Sequence, residues 1–337
     1  MVGSEVTMRQ LQDLGILAEI AAKAAQPLSA VERARSVLAA MHGLVPYAGG
    51  GLSAWDPIGE TYRPVVNIGY DAPTFSTLHT HRYLDEYRRL GLLDEPKALR
   101  FRDVPGRGRD LRTFQELVAP AGYREGLGLA LLAPDGRRVG ILTLSTVDVR
   151  YPSVRQRDLS ELLGPTLAAL LDPVGRLAES FGAGQLWAIT QSAARRLDGG
   201  SLLGRNSLRE QLIRLVANGV DQAEFRWRDE SGGWERVRML APTAELGLAC
   251  RSIAVVTPAP QPYRLTWREL EVVTLIARGY DNRRVAQTLG ASVRTVTTHV
   301  ERILTKVQVR SRTELAVRAV HEGLLVCVDG EPPAACY

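Results

Sequence analysis

Lysine is almost missing from this chain: Lys23, Lys97 and Lys306 are its only lysines, so arginine fills nearly all of the 42 basic positions. That preference runs the whole length, and a single arginine is therefore weak evidence for bidentate base reading. Cysteine is scarce as well. Cys250, Cys327 and Cys336 are an odd, scattered set, which argues against a disulfide framework and matches no zinc spacing; reduced thiols are expected. No apolar stretch reaches the roughly 18 to 20 residues of a spanning helix, and no early basic stretch leads into an apolar core and cleavage site. The expectation is a cytoplasmic chain with no membrane partner.

Catalytic signatures are missing too. No Gly-x-x-x-x-Gly-Lys-Ser/Thr occurs, Gly126-x-Gly128 lacks a third glycine and lies in a strand pattern, and Ser53 lacks the glycine frame of a nucleophile elbow. His79-x-His81 has no carboxylate or cysteine at helpful spacing, so no metal is expected. With no triad, metal set or phosphate loop, enzymatic function is not expected.

What is present is a divided chain. Its 337 residues suit two or three domains with their own cores, and 45% hydrophobic with 23% charged residues is ordinary for globular protein. The charge is unevenly placed. Between Tyr263 and Leu325 eleven Lys and Arg face six Asp and Glu, an excess equal to the whole net charge of +5. A basic module joined to a nearly neutral remainder is the footprint of nucleic-acid binding, because phosphate neutralisation supplies most sequence-independent affinity.

Helical spacing of Leu11, Leu14, Ala18, Ala21 and Ala22 opens the chain, and a second helix, Ser29 to Leu44, begins with Ser29 and Glu32 in capping-box spacing. Gly49-Gly50-Gly51 then leads into a hairpin from Leu52 to Ile68, turned at Asp56-Pro57 and Gly59. A polar, aromatic stretch follows, with a helix around His81 to Arg89 and a loop at Pro105-Gly106-Arg107-Gly108. Gly126 to Ala133 alternates Leu127, Leu129 and Leu131 against small residues, Pro134-Asp135-Gly136 turns it, and Arg138 to Val147 returns. Tyr151-Pro152-Ser153 opens a long helix with Leu159, Leu162, Leu163, Leu167, Leu170 and Leu171 on one stripe.

That order, with a glycine-rich hairpin running through the aromatic-Pro-Ser step into a helix bearing Asp158, resembles the GAF domain family over Leu14 to Leu171. The resemblance implies a single antiparallel sheet with helices on both sides and a small-molecule or regulatory pocket on one face. Trp55, Tyr62, His79, His81, Tyr83, Tyr87, Tyr123 and Arg124 come from the segments that would surround such a pocket. No cofactor is expected, and the ligand class stays open.

From Leu186 to Leu197, an alanine-rich segment ending Arg195-Arg196-Leu197 opens a third unit. Leu208 to Val216 is helical, Phe225-Arg226-Trp227 and Trp234 to Leu240 pair around Ser231-Gly232-Gly233, and Ile253 to Thr257 closes it. This unit resembles a shortened PAS-type module. Thr257-Pro258-Ala259-Pro260-Gln261-Pro262 is expected to be an extended, semi-rigid linker.

Beyond it, Leu265-Thr266, Arg268-Glu269, Glu271-Val272, Ala277-x-Gly279, Asn282, Val285-Ala286, Leu289, Ser292, Thr295-Val296, His299-Val300, Ile303, Lys306 and Val307-x-Val309-x-x-Arg312 resemble the LuxR-type, or NarL/FixJ-type, helix-turn-helix family. The resemblance implies a four-helix bundle, dimeric binding to a near-palindromic double-stranded DNA site, and a role in transcription with RNA polymerase as partner. The missing Walker motif excludes the large ATP-dependent regulators that share this module.

The residues support those roles independently. Thr266 and Glu269 stand in capping-box spacing, Gly279 suits a helix C′ position, Gly290-Ala291 turns the chain and Ser292 caps the recognition helix. Val296, Val300 and Ile303 face inward, leaving Arg294, Thr295, Thr297, Thr298, Glu301 and Arg302 outward. The DNA-contact candidates are Thr266, Asn282, Arg283, Ser292, Arg294, Thr295, Thr297, Thr298, Arg302 and Lys306. The family usually has Lys where Thr297 stands and often a basic residue near Glu301, so a shifted target and weaker non-specific binding are expected. Thr313 to Leu325 is read as a final helix, with Leu315, Ala319 and Leu324 as dimer candidates, set against a reading as plain core.

The fold class is thus α+β multidomain, divided as 1–175 (GAF-like), 176–257 (PAS-like), 258–262 (linker), 263–326 (all-α helix-turn-helix) and 327–337 (tail). A phosphorylated receiver domain is not expected, because the chain begins with two helices and lacks the alternating β/α pattern. An alternative sigma factor shares a similar helix-turn-helix, but the upstream strands and the lack of a helical, aromatic promoter-melting segment disfavour it.

Overall fold

The computed structural model describes residues 2–104, 106, 108–182, 184–198, 206–242 and 250–328, with side chains from residue 11 onward. Cys336, the expected tail beyond residue 328, and Pro105 and Arg107 of the expected loop lie outside the described residues. The chain divides within a helix, between Arg176 and Leu177, into two compact units.

In the first unit, α1 (Val2–Ala24) and α2 (Ala30–Met41) precede the hairpin β1 (Gly49–Asp56) and β2 (Thr61–Ile68). Ser29 and Glu32 cap α2 reciprocally, as their spacing predicts. After α3 (Ala72–Thr77), α4 (His81–Arg89) and a short β3 (Ala98–Arg100), strands β4 (Glu125–Leu132) and β5 (Arg138–Thr146) complete one antiparallel sheet of order β2-β1-β5-β4-β3. Pro64 has no N–H to give a ladder, and it sits on edge strand β2 where the register shifts between Leu52 and Ser53. The alternation of β4 sends Leu127, Leu129 and Leu131 into the main core with Ile20, Leu38, Leu142 and Leu167. Gly126, Gly128 and Ala130 therefore face the other way.

The single long helix expected after Ser153 is two. Helix α5 (Val154–Leu162) is capped reciprocally by Ser153 and Gln156, and α6 (Gly164–Leu171) restarts with a proline in its first turn, Pro165 having no N–H for the turn before it. The restart rotates the stripe, so Leu162 is exposed while Leu163, Leu167, Leu170 and Leu171 are buried.

The second unit begins in the last turns of α7 (Pro173–Phe181). Strands β6 (Gln185–Ile189), β7 (Ala194–Arg196), β8 (Ala223–Arg228), β9 (Trp234–Leu240) and β10 (Ser252–Pro258) form an antiparallel sheet of order β7-β6-β10-β9-β8. Helix α8 (Asn206–Ala217) covers one face, packing Leu208, Leu212 and Leu215 against Trp187, Phe225 and Val237. Four helices follow: α9 (Trp267–Ala277), α10 (Asn282–Leu289), α11 (Val293–Val307) and α12 (Arg312–His321).

The proline-rich stretch, read from the sequence as an extended, semi-rigid linker, is also tied to the sheet: β10 continues through Pro258, Ala259 N–H donates to Trp234 O (2.8 Å), and Pro262 is buried. Trp267 then packs on Trp227 and Trp234 at centroid distances of 6.2 and 6.1 Å. The final helix also stops early. Gly323 takes φ of 62°, and the chain runs on extended, with Arg226 N–H of edge strand β8 donating to Leu325 O (2.6 Å) and Val326 N–H donating to Thr274 Oγ1 (2.9 Å). Sheet and helical bundle share one unit because apolar side chains and the chain beyond α12 join them.

Candidate nucleic-acid interface and ligand cavity

Helix α9 starts at a complete capping box. Thr266 Oγ1 accepts from Glu269 N–H at 3.2 Å, and Glu269 Oε2 accepts from Thr266 N–H at 2.8 Å. The Lys306 ammonium reaches in from α11 to Glu269 Oε2 and Oε1 (2.7 and 2.8 Å) and to Arg264 O (3.3 Å). Burial raises the Glu269 carboxyl's proton affinity, but the Lys306 and Thr266 bonds outweigh it and hold the group below its ordinary value. These contacts also steady Tyr263 and Arg264, both at left-handed φ (47° and 53°), with Tyr263 Oη donating to Glu322 at 2.7 Å. Thr266 and Lys306, read from the sequence as DNA contacts, thus form a structural clasp whose ammonium protons are all taken.

Asp281 caps α10, Gly290 ends it in the left-handed conformation, and Ser292 caps α11 by accepting from Thr295 N–H at 3.0 Å. Val296, Ile303 and Val307 are buried against Leu270, Val273 and Leu315. Ser292, Arg294, Thr295, Thr297, Thr298, Glu301 and Arg302 are exposed together. Among the described residues Arg283, Arg294 and Arg302 make no ion pair. Asn282 is committed, donating to Thr297 Oγ1 and accepting from Arg312 Nη1 (2.9 Å).

The threonines are less available as donors than their sequence suggests. Thr297 donates to Val293 O at 3.0 Å and Thr298 to Arg294 O at 3.2 Å. A hydroxyl whose proton returns to the helix offers outward only lone pairs and a methyl. The face therefore presents two guanidiniums, methyl groups and the Glu301 carboxylate.

The dimer candidates need correction. Leu315 and Ala319 are fully buried because the stripe of α12 that faces α9 is its core stripe, and Leu324, beyond the helix end, is buried in the same core; Val317 (65% exposed) and Val320 (41%) form the outward apolar face of α12.

In the first unit a cavity of about 60 Å³ lies on the glycine side of β4. One water needs roughly 10–15 Å³ on this scale, so there is room for a handful of non-hydrogen atoms. Gly128 lines it, and a Cβ there would meet nothing within 4 Å. Leu93, Phe101 and Ile141 are among its apolar walls, and Tyr70, which donates to Ser145 Oγ at 2.8 Å, is among its polar ones.

Of the eight pocket residues read from the sequence, Tyr87 alone lines this cavity. Trp55 and Tyr62 stack edge-on (5.0 Å) beside Leu84, Tyr83 donates to Glu116 Oε2 at 2.9 Å, and Tyr123 packs on Tyr70. His81 and Arg124 are exposed. His79 is buried beside Ser53, Nδ1 to Oγ at 3.4 Å, and burial lowers its pKa to about 4. Sequence reasoning missed Tyr70, Ser145 and Gly128; the readable signal was the run of small residues alternating with leucines on β4.

Among the described residues no cluster of three or more His, Cys, Asp or Glu could hold a metal ion, and no helix is long and apolar enough to cross a membrane.

Comparison with known proteins meets the α11 face directly. Residues 263–319 match the family described as bacterial regulatory proteins, luxR family. Response regulator protein VraR of Staphylococcus aureus is 41% identical over 61 residues, 18% of this chain and 29% of that one, and the Staphylococcus saprophyticus protein of the same name matches equally. The chain thus spans 29% of the length of the curated relatives it matches. Among solved structures, a GAF domain from a phosphoenolpyruvate-protein phosphotransferase of Coxiella burnetii aligns with a TM-score of 0.40 at 18% identity, over 51% of this chain and 98% of that one. Escherichia coli SdiA aligns with a TM-score of 0.32 at 15% identity, over 94% and 98%. In the described structure the matched segment is the α9–α12 bundle with its outward face on α11, and residues 263–319 belong to the luxR family of bacterial regulatory proteins.

Proposed function

We propose that the protein is a one-component transcription regulator that binds double-stranded DNA through α11 and senses a small molecule in its first unit. The observation that carries the reading is the exposed α11 face, where Arg294 and Arg302 stand unpaired among the described residues above a buried Val296–Ile303 seam. Enrichment of an operator from a random DNA pool by the full chain tests it. Arg294→Ala and Arg302→Ala should each weaken operator binding by about 1–3 kcal/mol with an unchanged melting temperature. Failure to enrich any sequence, or two silent variants, would remove the reading. Run-off transcription with core polymerase alone separates a regulator from a sigma factor, since only the latter starts transcription unaided.

The proposed division of labour follows the sequence: residues 1–175 sense, 176–257 form a PAS-like module, and 263–326 bind DNA. The cavity beside Gly128 supports the sensing role, and native mass spectrometry of the purified chain would report a retained ligand and the oligomeric state together. For a dimer on a near-palindromic operator, the exposed Val317 and Val320 are the self-association face. Val317→Glu should then abolish the dimer while leaving the fold intact. RNA polymerase is the downstream partner in this reading.

A further inference from the structure

The second sheet carries a feature that DNA binding does not use. Arg236 and Arg238 lie two residues apart on β9, so both project from the face opposite Val237 and Met239, which pack toward α8. Their cross-strand neighbours on β10 are Thr257 and Val255, and on β8 they are Arg226 and Glu224. Phe181, at the end of α7, lies under the Arg238 guanidinium at 5.8 Å from its ring centre. Among the described residues Phe181, Arg236, Arg238, Val255 and Thr257 enclose a cleft of about 190 Å³.

Its charge is unbalanced. Glu224 is shared by Arg236 Nε (2.7 Å) and Arg238 Nε (3.1 Å), while Arg226 beside them donates instead to Gly323 O at 3.1 Å. Burial pushes the Arg226 guanidinium's pKa down, and the Arg236 charge pushes it further. Arg236 and Arg238 thus share a single carboxylate, while Arg226 feels the Glu322 charge as well, and both cleft arginines remain more than a third exposed.

We propose that this cleft binds a small organic carboxylate with an aromatic or branched apolar body. The Nε and Nη2 of Arg236 and the Nε of Arg238 go to Glu224, so the carboxylate would meet the remaining Nη donors, Nη1 of Arg236 and the Nη pair of Arg238, whose plane matches its two oxygens. Phe181 and Val255 would take the apolar body, and the Thr257 hydroxyl would add a donor. The volume is below the roughly 300–1,000 Å³ of pockets for drug-sized ligands, which limits the occupant to about one ring. A bare phosphate would satisfy the arginines but leave the apolar walls uncovered.

Titration calorimetry of the full chain with benzoate tests the site, with benzyl alcohol and inorganic phosphate as the neutral and apolar-free controls. Benzoate should bind saturably, and each control about tenfold or more weaker. Arg236→Gln and Arg238→Gln should each weaken benzoate about tenfold, and Thr257→Val, which leaves every ion pair in place, should weaken it a few-fold. Arg238→Lys keeps the charge without the fork and serves if the glutamine variants misfold; it too should lose affinity. Gly128→Val, at the cavity of the first unit, should leave benzoate binding unchanged. Absent benzoate binding, phosphate binding as tight as benzoate, or binding indifferent to all the cleft variants would overturn the proposal.

Discussion

Asn282 Nδ2 donates to Thr297 Oγ1 across 3.2 Å, tying the scaffold helix α10 to the recognition helix α11. Arg312 completes the tie, donating to Asn282 Oδ1 and to Tyr280 O, so the helix-turn-helix and α12 are locked by one polar chain. Thr297 is therefore a strut on the exposed face: its hydroxyl proton goes to Val293 O and one lone pair accepts from Asn282.

Thr297→Lys should accordingly lower stability by about 1 kcal/mol through the lost hydrogen bonds. It should also add a cation to the α11 face, steepening the dependence of log Kobs on log salt by about 0.9 for one new phosphate contact. Fluorescence anisotropy across a salt series measures this. An unchanged slope would place residue 297 away from the DNA backbone.

The clasp beneath that face gives a second expectation. Lys306→Met leaves the buried Glu269 carboxylate without its cation and should cost about 1–3 kcal/mol, toward the lower end because Lys306 is one-third exposed and screened. Glu269 is held below its unfolded value, so its contribution is full above the ordinary carboxylate range and vanishes as pH falls through the folded pKa. The variant should therefore show a flatter acid limb in urea midpoints. Its salt slope on DNA should match the parent's, because the ammonium was already committed; a shallower slope would restore Lys306 as a phosphate contact.

His79 contributes a distinct step to the pH response of the first unit. Its pKa falls from 6.5 unfolded to about 4 folded, so the unfolded chain takes up a proton first. Stability is full above pH 6.5 and declines as pH falls toward 4, by about 3 kcal/mol at the lower end. His79→Leu removes this decline at the cost of the Ser53 contact. Denaturant midpoints of the two proteins between pH 7 and 4 should converge as pH drops; parallel curves would mean that His79 titrates alike in the folded and unfolded chain.

Gly128→Val tests the cavity. The side chain enters open space, and replacing a strand glycine restrains the unfolded chain, so stability should rise by about 0.5–1 kcal/mol. Any ligand retained in the cavity should disappear from the native mass spectrum. A fall in melting temperature would show that the glycine face is closed.

Much of this was legible because it is local. Ser29 with Glu32, Thr266 with Glu269, and the leucine alternation of β4 each encode structure within a few residues, and they form as their spacing predicts. The cavity was legible only in reverse: the polar and aromatic residues drew attention, whereas Gly126, Gly128 and Ala130 made the space. The fate of α12 was not local at all. Leu315 and Ala319 have the spacing of either a core or an interface, and only the position of α9 decides between them. Arg236 and Arg238 read as ordinary strand residues until pairing with β8 and β10 sets them around one glutamate.

The proline stretch carries the largest consequence. A semi-rigid spacer would let sheet and bundle melt separately, giving three calorimetric transitions in the full chain. Instead Ala259 is bonded to Trp234 O, Trp267 packs on two tryptophans of the sheet, and the segment after α12 pairs with edge strand β8. The residues from Leu177 onward should therefore melt as one unit, giving two transitions in all. The two aromatic pairs of Trp267 together contribute about 1–3 kcal/mol, so Trp267→Ala should lower the second transition and, by loosening the joint, split it. Three transitions in the parent protein would restore the spacer. A single lowered but unsplit transition in Trp267→Ala would assign the coupling to the β8 pairing with Leu325, since that backbone bond is independent of the indole.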